Sequence, residues 1–216
     1  CVCDKPEPEP CDVCNELPCV CQKKEPVIIK LADGKLRKLK YIDTLTFWGA
    51  DGKQISAAQF IENLFGELPE LFKNEDELRA IWGGPDTRKA LLLGLEDKGY
   101  GAELFDSVKE LIDAENSDVF DVLAYVAFAL APISREERVV SHQSKIFERY
   151  SQQQQFLSFV LDHYINEGVG ELELEKLPEL LKSKYQSVRD IPTELGSIAE
   201  IKEAFVGFQA HLYSGN

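Results

Sequence analysis

Apolar residues recur at helical spacing through most of the chain after residue 57. Within 118–130, for example, they lie three or four positions apart and therefore fall on one side of a helix: Val119, Val122, Leu123, Val126 and Leu130. Glycine and proline divide the chain into successive stretches of this kind. The pattern predicts a mainly α fold, a helical bundle of about eight or nine helices.

Serine residues mark the starts of several of these helices. A serine at a helix N-cap accepts a backbone hydrogen bond, and a Glu or Gln three residues later returns one. This spacing occurs ahead of four stretches: Ser56 with Gln59, Ser134 with Glu137, Ser151 with Gln154, and Ser197 with Glu200. We also expect Ser117 to cap the helix over 118–130 and Pro132 to end it.

A small N-terminal β-hairpin is predicted ahead of the helices. The stretch VIIKLADGKLRKLKYI, residues 27–42, has two β-rich runs around Asp33 and Gly34, a dipeptide typical of hairpin turns. The hairpin also carries the dense basic stretch of the chain: Lys30, Lys35, Arg37, Lys38 and Lys40. These residues either form the solvated face of an edge hairpin, where lysines discourage aggregation, or contact DNA phosphates or a partner protein.

The six cysteines all lie in a Cys-rich leader at residues 1–26, which we separate from the helical domain at 27–216. The leader has too few apolar residues to offset the conformational entropy lost on ordering. An ordered leader therefore requires a cross-link, either a metal ion or disulfides. Zinc prefers four thiolates, often with a C-x2-C pair. We therefore predict zinc ligands at Cys11, Cys14, Cys19 and Cys21, with Cys1 and Cys3 as alternates. Disulfides, or cysteines without a defined role, are the open alternatives.

The charge balance is strongly acidic, with a formal net charge of −14 over 216 residues. A protein that neutralises DNA phosphates usually presents a basic field, so a direct DNA contact has to come from a local patch.

The longest apolar run, residues 122–133, is shorter than a membrane span, and no secretory signal is present. We expect a cytoplasmic location and no membrane partner. Because the sequence begins with Cys and contains no Met, we also expect an excised or processed fragment.

The sequence offers no recognisable reaction centre. It contains no G-x-x-x-x-G-K-[ST] phosphate loop, no H-E-x-x-H and no G-x-S-x-G. The paired acids Asp118 and Asp121 are expected in a helix first turn, where negative charge complements the dipole, and Arg88 is expected to be solvated. The histidines fall on different predicted helices: His142, His163 and His211. We assign no catalytic residue, and whether the chain is an enzyme stays uncertain.

Several stretches, taken in their order along the chain, resemble a known family. They are YIDTLTFWGADGKQISAAQFIENLFG, LRAIWGGPDTRKALL, NSDVFDVLAYVAFAL, REERV, FLSFVLDHYINEGVGELELEKLPELLKSKY and EIKEAFVGFQAHLY. Together they resemble the C-terminal helical domain of type I restriction enzyme R subunits, the EcoEI-like group. The resemblance covers roughly residues 27–213.

The resemblance carries expectations about function. It implies a DNA-restriction enzyme whose upstream domains supply the nuclease and the ATP-driven motor, so ATP and Mg belong to those domains. It implies that this domain docks the R subunit onto the modification (methyltransferase) and specificity subunits, and that double-stranded DNA is met through the assembled complex. The leader then looks like the linker to the motor. The alternatives are a DNA-contacting module that uses the basic hairpin, and a free-standing zinc-binding regulatory protein.

A chelator provides a test of the leader. If it holds zinc, chelation should release about one metal ion per chain and disorder residues 1–21, while the helical body stays folded because its predicted core contains no cysteine. Metal analysis and circular dichroism measure the two effects. Reduced protein without zinc would contradict the metal site, and loss of the body's helices on chelation would show that the domain boundary is wrong.

Overall fold

The computed structural model describes residues 26–40, 47–48, 53–185 and 191–215. The cysteines of the leader lie outside this part of the chain, so the zinc site and the linker stay predictions. The sequence features at residues 41–46, 49–52 and 186–190 also lie outside it.

Two short antiparallel hairpins precede the helices. Strand β1 (Val27–Lys30) pairs with β2 (Leu36–Leu39), and β3 (Phe47–Trp48) pairs with β4 (Gln54–Ile55). The first hairpin confirms the predicted one.

The turn between β1 and β2 has the geometry that its Asp-Gly sequence favours. The Gly34 amide donates to the Leu31 carbonyl at 2.9 Å, and the Leu31 amide donates to the Lys35 carbonyl at 3.2 Å. Gly34 has a φ of +77°, a left-handed conformation that glycine adopts without steric cost. This three-residue loop fixes the register, in which Ile29 lies opposite Arg37.

Ten α-helices follow in the described part of the chain, close to the predicted eight or nine. They are α1 (Ala57–Glu67), α2 (Glu75–Trp82), α3 (Pro85–Asp97), α4 (Ala102–Leu111), α5 (Val119–Phe128), α6 (Arg135–Arg149), α7 (Gln154–Glu167), α8 (Leu177–Lys184), α9 (Ile191–Leu195) and α10 (Ile198–Leu212). Short 3-10 turns lie at Leu68–Glu70, Ser151–Gln153, Val169–Leu172 and Leu174–Lys176. The mainly α fold class is confirmed.

Three of the four predicted capping boxes are confirmed. Ser56, Ser134 and Ser197 cap α1, α6 and α10, each with the reciprocal bond from the residue three positions later. The prediction for Ser151 is wrong, because Ser151 opens a 3-10 turn and Gln153 occupies the N-cap of α7 without a side-chain cap bond. The Gln153 side chain donates instead to the Leu195 carbonyl at 2.7 Å.

The predicted ends of α5 also need correction. Its N-cap is Asp118 rather than Ser117, and the Asp118 amide donates to the Asp121 carboxylate at 3.1 Å. The helix ends at Phe128 and is not continued to Pro132, because its C-cap residue, Ala129, adopts a left-handed φ of 60° and turns the chain out of the helix.

The core is formed where α5, α7 and α10 meet their neighbours. Helix α10 packs on α6, α2 and α9, and α5 packs on α1, α2 and α4. Phe205, Phe208 and Leu212 are fully buried on α10, as their spacing predicts. None of the described helices is long and apolar enough to cross a membrane.

Three arginines, Arg37, Arg88 and Arg138, are almost completely buried. The expectation that Arg88 is solvated is therefore wrong. Its guanidinium donates to the Gln209 side chain at 2.9 Å and to the Glu173 carboxylate at 3.0 Å. These acceptors lie 121 and 85 residues away in the sequence, so no local pattern indicates them.

Arg37 fastens the first hairpin to the last turn of α5. Its Nε donates to the Tyr125 carbonyl at 2.7 Å, and its Nη2 donates to the Val126 carbonyl at 2.8 Å. Lys35 Nζ adds a hydrogen bond to the Phe128 carbonyl at 3.0 Å. The last carbonyls of a helix lack partners within the helix and carry partial negative charge, so cationic donors suit them.

Replacing Arg37 by methionine should destabilise the protein. The Val126 carbonyl loses its side-chain donor, and the Tyr125 carbonyl keeps only the Ala129 amide. A loss of about 3 kcal/mol in the free energy of unfolding is expected for a broken buried charged network. Urea unfolding measures it. Lys38→Met, at an exposed position on the same strand, is the control and should change stability by less than about 0.5 kcal/mol. Equal effects of the two substitutions would contradict the role of Arg37.

Candidate functional site

A buried polar cluster lies between α5, α6, α7 and the residues after α10. It consists of Asp118, Asp121, Arg138, Tyr164 and Tyr213, all at least nine-tenths buried. A cleft of about 490 Å³ opens beside it, with Asp121 and Arg138 in its wall. Buried acids and a cation beside a cleft are a place to look for catalysis.

Hydrogen bonds within the cluster join its members closely. Arg138 Nη2 donates to both carboxylate oxygens of Asp121, at 2.6 and 2.8 Å. The hydroxyls of Tyr164 and Tyr213 both donate to Asp118 Oδ2, each at 2.5 Å. The Arg138 guanidinium also lies over the Tyr213 ring, 4.6 Å from its centroid.

The electrostatics of the cluster favour this arrangement. Burial raises the pKa of Tyr164 and of Tyr213, and the Asp118 carboxylate adds to both shifts. Both hydroxyls therefore stay protonated and act as donors. Burial also raises the pKa of Asp121, while the charge of Arg138 acts in the opposite direction.

The cluster is therefore a structural network. Its acids accept from an arginine or from tyrosines inside the protein, and it contains no serine or cysteine nucleophile. Among the described residues, no group of three or more His, Cys, Asp and Glu is placed to hold a metal ion. The structural role expected for Asp118 and Asp121 agrees with this geometry, although their burial with Arg138 had no local signal in the sequence.

The three histidines do not meet in one site. His142 is buried, with Nδ1 2.8 Å from the Arg138 carbonyl and Nε2 3.1 Å from the Ser214 carbonyl. His163 is half-buried, 3.8 Å from the Glu171 carboxylate. His211 lies on α10, where burial lowers its pKa.

The basic residues of the first hairpin separate into two groups. Arg37 faces the interior, and Lys35 is engaged with the Phe128 carbonyl. Lys40 Nζ donates to the Asp113 carboxylate at 2.7 Å, a contact that raises the pKa of Lys40. Lys30 and Lys38 are exposed on the opposite side of the hairpin from Arg37.

Lys30 and Lys38 share that side with two exposed apolar residues. Ile28 lies opposite Lys38 and Leu36 lies opposite Lys30, and both apolar side chains are 61% exposed. We call these four residues the hairpin outer face. It combines apolar area with positive charge in a chain whose net charge is −14. Such a surface suits contact with an acidic, partly apolar partner.

The hairpin outer face is held firmly on the helical body. Arg37 and Lys35 bind α5 carbonyls from the opposite side, and the Tyr125 hydroxyl donates to the Lys38 carbonyl at 2.8 Å. The sequence predicts the hairpin and its basic residues. The exposure of Ile28 and Leu36 beside the lysines has no clear signal in the sequence, since the apolar alternation on β2 is irregular.

Comparisons with known proteins point to one family. A family model described as EcoEI R protein C-terminal matches residues 58–213. A curated Escherichia coli protein, the type I restriction enzyme EcoAI endonuclease subunit, is 26% identical over 153 residues. That alignment takes in 64% of this chain and 18% of the relative, so the chain spans less than a fifth of the relative's length. No solved structure matches the chain.

Tyrosine-to-phenylalanine substitutions test the buried cluster. Tyr213→Phe removes a hydrogen bond to a buried carboxylate and should cost about 2 kcal/mol of unfolding free energy. Tyr185→Phe is a matched control, because the Tyr185 hydroxyl oxygen is buried without a hydrogen-bond partner among the described residues. Its removal should be neutral or slightly stabilising. Thermal and urea unfolding measure both, and a costlier Tyr185 substitution would contradict the network.

Proposed function

The chain belongs to the EcoEI R protein C-terminal family, and from this premise we propose that it docks the R subunit of a type I restriction enzyme onto its methyltransferase core. The partners in this proposal are the modification and specificity subunits, met in the cytoplasm. Nuclease and motor activities, with their ATP and Mg, belong in this proposal to other parts of the R subunit.

The hairpin outer face is the observation that carries this proposal. The apolar side chains of Ile28 and Leu36 are exposed to water, which does not stabilise the monomer. A partner that buries them gains favourable hydrophobic free energy. Lys30 and Lys38 flank them and can steer an acidic partner. Because the hairpin is fastened to α5 by Arg37, the surface needs little ordering when it binds.

Direct DNA binding is the second candidate function, and the exposed lysines are the observation that favours it. The sequence has five basic residues in this stretch, but Arg37 is buried and Lys35 and Lys40 have partners within the fold. The two hairpin lysines without a side-chain partner among the described residues, Lys30 and Lys38, release few counterions, and the net charge of −14 repels a duplex. We therefore place double-stranded DNA in contact with the assembled complex rather than with this domain.

Family membership argues against the third alternative, a free-standing regulatory protein unrelated to restriction. Membership of this family is established whether or not the leader binds zinc. Metal binding by Cys11, Cys14, Cys19 and Cys21 stays a separate proposal about the leader, for which the C-x2-C spacing is the support.

Negative charge introduced on the hairpin outer face tests docking. The double substitution Ile28→Glu and Leu36→Glu should reduce co-purification of the chain with the modification and specificity subunits by at least about tenfold, because carboxylates replace the apolar contact area and repel an acidic partner. The control is Val140→Glu with Ile198→Glu, two exposed apolar positions on α6 and α10. Both double variants should keep the helical circular dichroism spectrum and thermal midpoint of the parent chain.

Two results would count against the proposal. Unchanged capture of the subunits by the Ile28/Leu36 variant would remove the hairpin outer face as the docking surface. Binding of the chain alone to duplex DNA, falling steeply with salt and lost in Lys30→Gln with Lys38→Gln, would favour the DNA-contacting alternative instead.

A further inference from the structure

The outer edge of β1 carries backbone groups that point away from the hairpin. The Leu31 amide bonds the Lys35 carbonyl, so this pair is a hydrogen-bonded one. Hydrogen-bonded and non-hydrogen-bonded pairs alternate along an antiparallel ladder. Ile29 and Arg37 therefore exchange hydrogen bonds, whereas the N–H and C=O groups of Ile28 and Lys30 face outward.

The second strand gives an independent check of this alternation. Lys38 pairs with Ile28, so its backbone groups should also face away from the hairpin. They do, because the Tyr125 hydroxyl lies 2.5 Å from the Lys38 amide nitrogen and 2.8 Å from its carbonyl oxygen. Helix α5 thus covers the outer edge of β2 at Lys38.

The outer edge of β1 has no such cover within the described part of the chain. Strand β1 pairs with β2 alone there, and no side chain bonds the backbone of Ile28 or Lys30. Val27 is 42% exposed and Ile28 is 61% exposed, so the edge is accessible. Unpaired backbone donors and acceptors at every second residue are a template for another strand.

We propose that an extended segment of the methyltransferase core adds to the outer edge of β1 as a third strand of this sheet. This inference rests on the proposed docking function and specifies how it is carried out. Main-chain hydrogen bonds to Ile28 and Lys30 provide part of the affinity, and the side chains of the hairpin outer face provide the selectivity.

The hairpin outer face sets the chemistry of that segment. Side chains of an added strand that lie on the same face sit directly beside Ile28 and Lys30. The partner strand therefore carries an apolar residue beside Ile28 and, two positions away, an acidic residue beside Lys30. Self-pairing of two copies of β1 is disfavoured, because Lys30 and Lys38 bring like charges together and Pro26 limits the edge to a few residues.

Amide hydrogen exchange with residue resolution is the first experiment. In the free chain the Ile28 and Lys30 amides should exchange fast, and the Ile29 amide, which bonds across the hairpin, should exchange slowly. Addition of the purified modification–specificity complex should slow Ile28 and Lys30 by at least about tenfold. Unchanged exchange in a complex that forms would overturn the proposal, and so would protection of both amides already in the free chain.

Backbone substitution at Lys30 is the second experiment. Lys30→Pro removes the outward N–H without removing a hairpin hydrogen bond, whereas Lys30→Val removes the charge and keeps the N–H. Lys30→Pro should bind the complex at least about tenfold more weakly than Lys30→Val, with equal thermal midpoints for the two variants.

The outcomes separate this inference from the docking function. Equal binding by Lys30→Pro and Lys30→Val, while Ile28→Glu with Leu36→Glu still prevents docking, would reject strand addition and leave docking in place. Full binding by all of these variants would reject both.

Discussion

The fold depends on hydrogen bonds to the guanidinium groups of three arginines that are buried away from water. A buried arginine keeps its charge and has to find acceptors inside the protein. Arg37, Arg88 and Arg138 each do so by reaching acceptors on other elements of the chain. Arg37 joins the first hairpin to α5, Arg88 joins α3 to α10, and Arg138 joins α6 to α5. Hydrophobic packing alone tolerates small shifts between helices, whereas these directional bonds require particular partners, so they help to select one arrangement of the bundle.

Features fixed by a few neighbouring residues could be predicted from the sequence. The Asp-Gly turn and the Ser56 cap need only three or four residues, and the structure confirms both. The capping box predicted at Ser151 does not form, because the chain after α6 continues into a 3-10 turn, which the residue spacing does not reveal. Arg88 and the tyrosines around Asp118 depend on partners that tertiary packing brings together from distant parts of the chain. No pattern within a short window carries that information.

In the hairpin outer face, too, some features could be predicted from the sequence and others depend on the register and on packing against α5. In the sequence the basic residues of the first hairpin are equivalent, yet Arg37 is an internal cation and Lys38, the next residue, faces outward. The alternation of a strand makes this separation unavoidable once the register is known. Leu36 and Leu39 are three positions apart, so the apolar pattern of β2 does not reveal which face is buried. The turn at Gly34 and the anchor on α5 decide it.

Contacts made by residues near both ends of the fold determine which residues a recombinant version of this domain has to include. The family match begins at residue 58, but Arg37 supplies donors to the end of α5 from well before that point. It stops at residue 213, yet the carbonyl of Ser214 lies 3.1 Å from the His142 ring. A cloning boundary drawn at the matched range, residues 58–213, would remove the Arg37 donors from the end of α5 and the Ser214 carbonyl from the His142 ring. The thermodynamic unit is therefore longer than the stretch by which relatives are detected.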